Sequence, residues 1–164
     1  MPQEIERKFL VSGDFIADCN PKLRLTIVQG YFNSDPNRTV RIRLTKSNTC
    51  LDLACVTIKG PNHGISRAEY EFDIVPADAA LELINNLAEF TISKHRHMIV
   101  YAGNTWCVDQ FLDNNTGLIL AEIELETEDQ TFELPPWVGR EVSDDVRYYN
   151  LQLAQNPYKN WSVT

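Results

Sequence analysis

Polar and apolar residues alternate along most of this chain, the period of β-strands that turn one face to a core. In Glu4-Ile5-Glu6-Arg7-Lys8-Phe9 the charges Glu4, Glu6 and Lys8 fall on one face, and Ile5, Arg7 and Phe9 on the other. The alternation predicts strands to about residue 11 and over 23–32, 39–46, 51–59, 65–75, 92–101, 106–112 and 118–128. Turn formers separate them: Ser12-Gly13-Asp14, with a loop or short helical turn running on to Pro21, then Asn33 to Asn37, Ser47-Asn48, Gly60 to Gly64, Ala102-Gly103-Asn104 and Asp113 to Gly117. After Pro76 the period changes, and Ala77, Ala80, Leu81, Ile84 and Leu87 take the spacing of an amphipathic helix. Pro135-Pro136-Trp137 reads as a rigid connector. Ser143-Asp144-Asp145 opens a short second helix that residues 150–155 continue, ending before Pro157. Eight short strands with tight turns predict a mainly β, α+β protein: an antiparallel sheet, closed or nearly closed, with one inserted helix and another after it.

The charges in phase within these strands are Glu4, Glu6 and Lys8, then Arg41 and Arg43, Lys59, Glu69 and Glu71, Lys94 and Arg96, Asp109, and Glu122, Glu124 and Glu126. The opposite phase carries Ile5, Phe9, Val40, Ile42, Ile58, Tyr70, Phe72, Ile123 and Leu125. Two arrangements account for this. In one, the charged face is simply wet and the apolar face is the core, as in half-exposed antiparallel sheets. In the other, the sheet closes with the charges inside. Side chains two apart on a strand lie roughly 6.5–7 Å from each other, and like charges at that spacing repel unless an opposite charge sits between them. Paired carboxylates suit Mg²⁺ or Mn²⁺, and the bases suit phosphate oxygens. The pattern alone leaves both arrangements open.

At 164 residues and 43% hydrophobic content the chain suits one globular domain over 1–164. A formal net charge of −8 argues against nucleic acid or an anionic membrane as a partner. No apolar run approaches the length of a membrane span, and the start carries no signal-peptide pattern. Cys19, Cys50, Cys55 and Cys107 form no C-x-x-C pair, so reduced thiols in the cytoplasm are expected.

E-x-E-x-K at the start, R-x-R in the third strand, a lysine closing the fourth, E-x-E in the fifth, K-x-R after the helix, a lone Asp, and E-x-E in the last strand together resemble the ordered motif of the CYTH proteins, the triphosphate tunnel metalloenzymes. The tail from Glu141 to Tyr148 is similar to short bacterial members. The resemblance spans Glu4 to Glu124 and implies an eight-stranded tunnel that binds a triphosphate with Mg²⁺ or Mn²⁺. It implies Glu4, Glu6, Glu122 and Glu124 as metal ligands. Lys8, Arg41, Arg43, Lys59, Lys94 and Arg96 are implied as phosphate contacts, with Glu69, Glu71 and Asp109 in support. All of these contacts but Lys59, together with Glu4 and Glu6, are the expected catalytic set. A helix near Asp145 to Tyr149 is expected to plug one mouth. The expected reaction is hydrolysis of a terminal phosphate, foremost from inorganic tripolyphosphate. The family also includes class IV adenylyl cyclases and thiamine or nucleoside triphosphatases, and a non-catalytic polyphosphate- or nucleotide-binding module is a further alternative. The expected partner is a small triphosphate, with room for a homodimer.

Removing Glu4 or Glu6 is expected to abolish metal-dependent activity while the fold survives, with room for a gain in ligand-free stability as carboxylate repulsion is relieved. Several residues are set aside. His95 and His97 are out of phase with Lys94 and Arg96 and should face away from the lumen; His63 lies in a turn. Cys55 and Cys107 share the charged phase and read as small fillers. Arg7 reads as half of a surface pair, and Glu126 as a rim residue. Tyr31, Phe32, Trp106 and Trp137 read as core or rim rather than as platforms for an organic group.

Overall fold

The structure, a computed structural model, describes residues 3–12, 14–18, 24–35, 37–74 and 76–161. The expectations placed on Gly13, Cys19, Pro21, Leu23, Pro36 and Val75 lie outside them. Nine strands are present among the described residues: β1 (Gln3–Val11), β2 (Arg24–Tyr31), β3 (Thr39–Ser47), β4 (Leu53–Lys59), β5 (Ser66–Asp73), β6 (Phe90–Tyr101), β7 (Asn104–Phe111), β8 (Ile119–Glu124) and β9 (Val138–Glu141). The α-helices are α1 (Asp78–Leu87) and α2 (Asn150–Gln155).

The sheet runs β5-β4-β3-β2-β6-β7-β8-β1-β9, and β1 also pairs with β5. Eight antiparallel strands therefore close into a barrel. Strand β1 is the seam. Its start pairs with β5 from Gln3↔Ala68 to Ile5↔Ser66, and Glu6 to Leu10 pair with β8. Where β5 ends, β9 takes over its side of β1, at Phe9↔Glu141 and Val11↔Val138. Two expectations are corrected here. The last long strand stops at Glu124 rather than at 128, and residues 138–141 pair as a strand after the proline connector.

The apolar phase faces outward and is covered in two places. Trp106, Trp137, Phe9, Ile99 and Ile123 pack in one cluster with Phe15 and Phe132, beneath the segment that follows β8. Helix α1 buries Ala80 and Ile84 against Ile42, Leu44 and Ala54. That helix approaches β2 at Gly30, where a Cβ would meet the Ala88 Cβ at 2.8 Å. Elsewhere the outer face is bare: Ile58, Tyr70 and Phe72 on β4 and β5 are 40%, 41% and 58% exposed. A third cluster fills one end of the barrel from within. Tyr31, Ile92, Phe111 and Leu120 meet Leu151 and Leu153 of α2 there. At only six residues α2 has little helix stability of its own, and this packing holds it. No helix among the described residues is long and apolar enough to cross a membrane.

Candidate active site in the barrel lumen

The charged phase faces inward. A cavity of about 640 Å³ is lined by Glu4, Glu6, Lys8, Arg41, Arg43, Lys59, Glu69, Glu71, Arg96, Glu122 and Glu124. Of the expected site residues, Lys94 and Asp109 stand behind this lining, 1% and 0% exposed. Glu126 is exposed and lies outside it, as a rim residue would.

Like charges run along the strands, and opposite charges face each other across them. Glu4 is opposite Arg67, Lys8 opposite Glu122, Lys59 opposite Glu69, and Arg96 opposite Asp109. Lys8 Nζ lies 2.7 Å from Glu6 and 2.6 Å from Glu122. Lys59 Nζ lies 2.6 Å from Glu4 and 2.8 Å from Glu69. Arg96 donates to both Asp109 oxygens at 2.7 Å and reaches Glu122 at 2.7 Å. Lys94 also donates to Asp109. The repulsion along each doublet is therefore largely offset across the sheet. The exceptions are Glu6 and Glu124, two acids in direct cross-strand register, and Arg41 and Arg43, which stand opposite no acid on either neighbouring strand.

This pairing sets the protonation of the lumen. Burial pushes the Glu4 carboxyl up, but Lys59 and Arg67 outweigh it and hold the group far below the usual carboxylate range. Burial is likewise outweighed at Glu122 by Lys8, Lys94 and Arg96, and at Asp109 by Arg96 and Lys94. For Lys94 burial wins, aided by Arg96, and its pKa falls to about 8. Burial and the neighbouring Glu4 carboxylate raise Glu69.

Sequence reasoning missed four contributors. Arg67 lines the cavity and bridges Glu4 at 2.8 Å and Glu6 at 3.5 Å. It shares phase with Glu69 and Glu71, so R-x-E-x-E carried the signal. Gln29 is a buried polar residue on the inward face of β2, opposite Arg43. Ser143 accepts from the Lys8 backbone N–H at 2.9 Å, and Asn150 lies 3.5 Å from Lys94 Nζ; nothing in their local pattern points inward. The plug is also corrected. Residues 146–148 form a 3₁₀ turn whose Asp145 cap accepts from the Arg147 N–H at 3.1 Å, and α2 closes the lumen with Asn150, Leu151 and Gln152.

The residues set aside fall largely where phase put them. His97 packs edge-on to Phe15, and the His95 ring lies 3.3 Å from Thr26. Arg7 pairs with Glu141 at 2.5 Å. Trp106 and Trp137 lie in the outer core. Cys107 lines the cavity, Cys55 lies opposite Arg43, and both are free thiols, as is Cys50.

A CYTH domain model matches residues 2–155. The chain is 43% identical over 162 residues to an inorganic triphosphatase of Acetivibrio thermocellus, covering 98% of this chain and 99% of that protein. It is 33% identical to an inorganic triphosphatase of Nitrosomonas europaea over 92% of this chain and 96% of that one. The crystal structure of an inorganic triphosphatase superposes with a TM-score of 0.62 at 30% identity, covering 94% of this chain and 95% of the other. A barrel with an inward charged face, matched along nearly its whole length, leaves one assignment: the chain belongs to the CYTH domain family.

Proposed function

We propose that this protein is a triphosphatase that hydrolyses the terminal phosphate of inorganic tripolyphosphate inside the barrel. The observation that carries the reading is the lumen itself, a closed wall where Arg41, Arg43, Lys59 and Arg96 share one cavity with Glu4, Glu6, Glu122 and Glu124. Two relatives named inorganic triphosphatases, aligned over nearly all of the chain, support it.

The donor set also fits a hard divalent cation such as Mg²⁺ or Mn²⁺, because it is all carboxylate oxygen. Among the described residues no three acids or other metal-binding side chains converge on one point. The acids that would hold the ion are Glu4, Glu6, Glu122 and Glu124, which line one cavity, with Glu6 and Glu124 in register. When bound, such an ion neutralises phosphate charge and acidifies a water. Phosphoryl transfer then asks the protein for positioning and charge stabilisation. Arg41, Arg43, Lys8 and Lys59 supply cationic donors along the wall, and Arg96 adds one held rigidly by Asp109. Lys94, behind Arg96, acts on the lining through Asp109. The plug leaves entry from the other mouth. Of the aromatic residues read as core or rim, Trp106 and Trp137 lie in the outer core, and Tyr31 is buried where it borders the cavity. The free thiols Cys50, Cys55 and Cys107 suit a reducing cytoplasm.

The test is a substrate panel with product analysis. Equal amounts of pyrophosphate and orthophosphate from tripolyphosphate support the reading. Cyclic AMP from ATP would make the protein a cyclase, and no turnover with any divalent ion would make it a binding module.

A further inference from the structure

Most lumen cations have a carboxylate oxygen within 3 Å: Lys8 from Glu122, Lys59 and Arg67 from Glu4, and Lys94 and Arg96 from Asp109. For Arg41 the distance is 3.8 Å, to Glu69. Arg43 forms no ion pair among the described residues. Its Nε instead donates to Gln29 Oε1 at 3.4 Å. Gln29 is 0% exposed on the inward face of β2, in register with Arg43 on one side and Ile92 on the other. Its amide Nε2 has no hydrogen-bond partner among the described residues. The guanidinium only donates, so the amide must present its oxygen to it.

A buried amide with one long hydrogen bond and two unmatched N–H donors is a poor way to stabilise a barrel wall. Methionine would fit the same space without the orphaned donors. Glutamate would pair closely with Arg43 and cancel its charge. Glutamine alone among these three holds the guanidinium by an acceptor oxygen without neutralising it. Burial, with Arg41 and Arg96 nearby, already disfavours the charge on Arg43, so an incoming anion relieves this part of the wall.

We infer that Gln29 is a positioning residue for the triphosphate: through a neutral hydrogen bond it orients Arg43 towards the cavity and leaves that guanidinium unpaired for a phosphate oxygen. The inference rests on the triphosphatase reading of the lumen. It explains why Arg43, which lines the cavity, meets a neutral amide on β2 rather than a carboxylate.

The experiment compares wild type, Gln29→Glu and Gln29→Met by steady-state kinetics on tripolyphosphate and by melting with and without tripolyphosphate. Gln29→Glu should melt higher than wild type without ligand, gain less from tripolyphosphate, and raise KM roughly 10- to 100-fold, the value of one charged hydrogen bond. Gln29→Met should fold and show a smaller KM increase of roughly threefold to tenfold, since Arg43 stays charged but loses its tether. A purely structural role would lower the ligand-free melting temperature and leave KM alone. KM and ligand-induced stabilisation within about twofold of wild type in Gln29→Glu overturn the inference. If that variant does not fold, the same result in Gln29→Met overturns it. A wild-type protein that neither binds nor hydrolyses tripolyphosphate refutes the lumen reading first, and this inference with it.

Discussion

Replacing Glu4 with glutamine separates two accounts of the lumen. If its acids are crowded and mutually repelling, the change relieves strain and the ligand-free protein gains stability. The structure argues the reverse, because Glu4 accepts from Lys59 at 2.6 Å and Arg67 at 2.8 Å, at 17% side-chain exposure. Stripping one partner from a buried ion pair costs roughly 3–5 kcal/mol. Here each released cation keeps a second carboxylate: Lys59 has Glu69 at 2.8 Å, and Arg67 has Glu6 at 3.5 Å. The loss should fall at or below the lower end, about 2–3 kcal/mol, or roughly 4–12 °C in Tm for a chain of this size. The Glu4 carboxyl is depressed in the fold, so its contribution is present above its ordinary value of 4.5 and fades as pH falls through the folded pKa. Calorimetric melts at neutral pH and in a series downward from pH 4.5 should therefore show the wild-type advantage shrinking with acid. A Glu4→Gln variant as stable as wild type at neutral pH, or more so, would refute the pairing account and restore the repulsion account.

Other expected outcomes test separate parts. Lys94 has a folded pKa of about 8 against an ordinary 10.5, so the unfolded chain binds more protons between them and stability should rise with pH across that window; Lys94→Met should flatten the rise in pH-dependent melts. Leu153→Ala in the plug, at a site 0% exposed, should cost roughly 2–5 kcal/mol by denaturant unfolding. Gly30→Ala drives a Cβ to 2.8 Å from Ala88 and should cost about 1–3 kcal/mol in the same assay. Ala102, at φ 46° in the β6–β7 hairpin, pays a left-handed penalty, so Ala102→Gly should raise stability by roughly 0.5–1 kcal/mol without changing KM.

Much of the barrel was legible because charge and phase coincide: Arg41 and Arg43 against Val40 and Ile42 mark strand β3 and its inward face together. What failed did so for physical reasons. Four residues at 138–141 are too short to display a period, and they pair only because β1 outruns β5. The inward phase is also not uniformly charged. Tyr31, Ile92, Phe111 and Leu120 share it and build the floor on which α2 rests, a layer that charge alone could not reveal. Which acid meets which base depends on register between distant strands, as in Glu4↔Arg67 and Lys8↔Glu122, and no local pattern encodes it. That is why the carboxylates read as mutually repelling when most are matched across the sheet.

Phosphorus NMR of tripolyphosphate incubated with the protein and Mg²⁺ or Mn²⁺ tests the proposed chemistry most directly, run beside Arg43→Ala. One water should be consumed per turnover, with pyrophosphate and orthophosphate resonances growing in equal amounts and nearly vanishing in the variant. Tripolyphosphate left intact by the wild-type protein with every divalent ion tried, or cleaved equally fast without Arg43, would contradict the account.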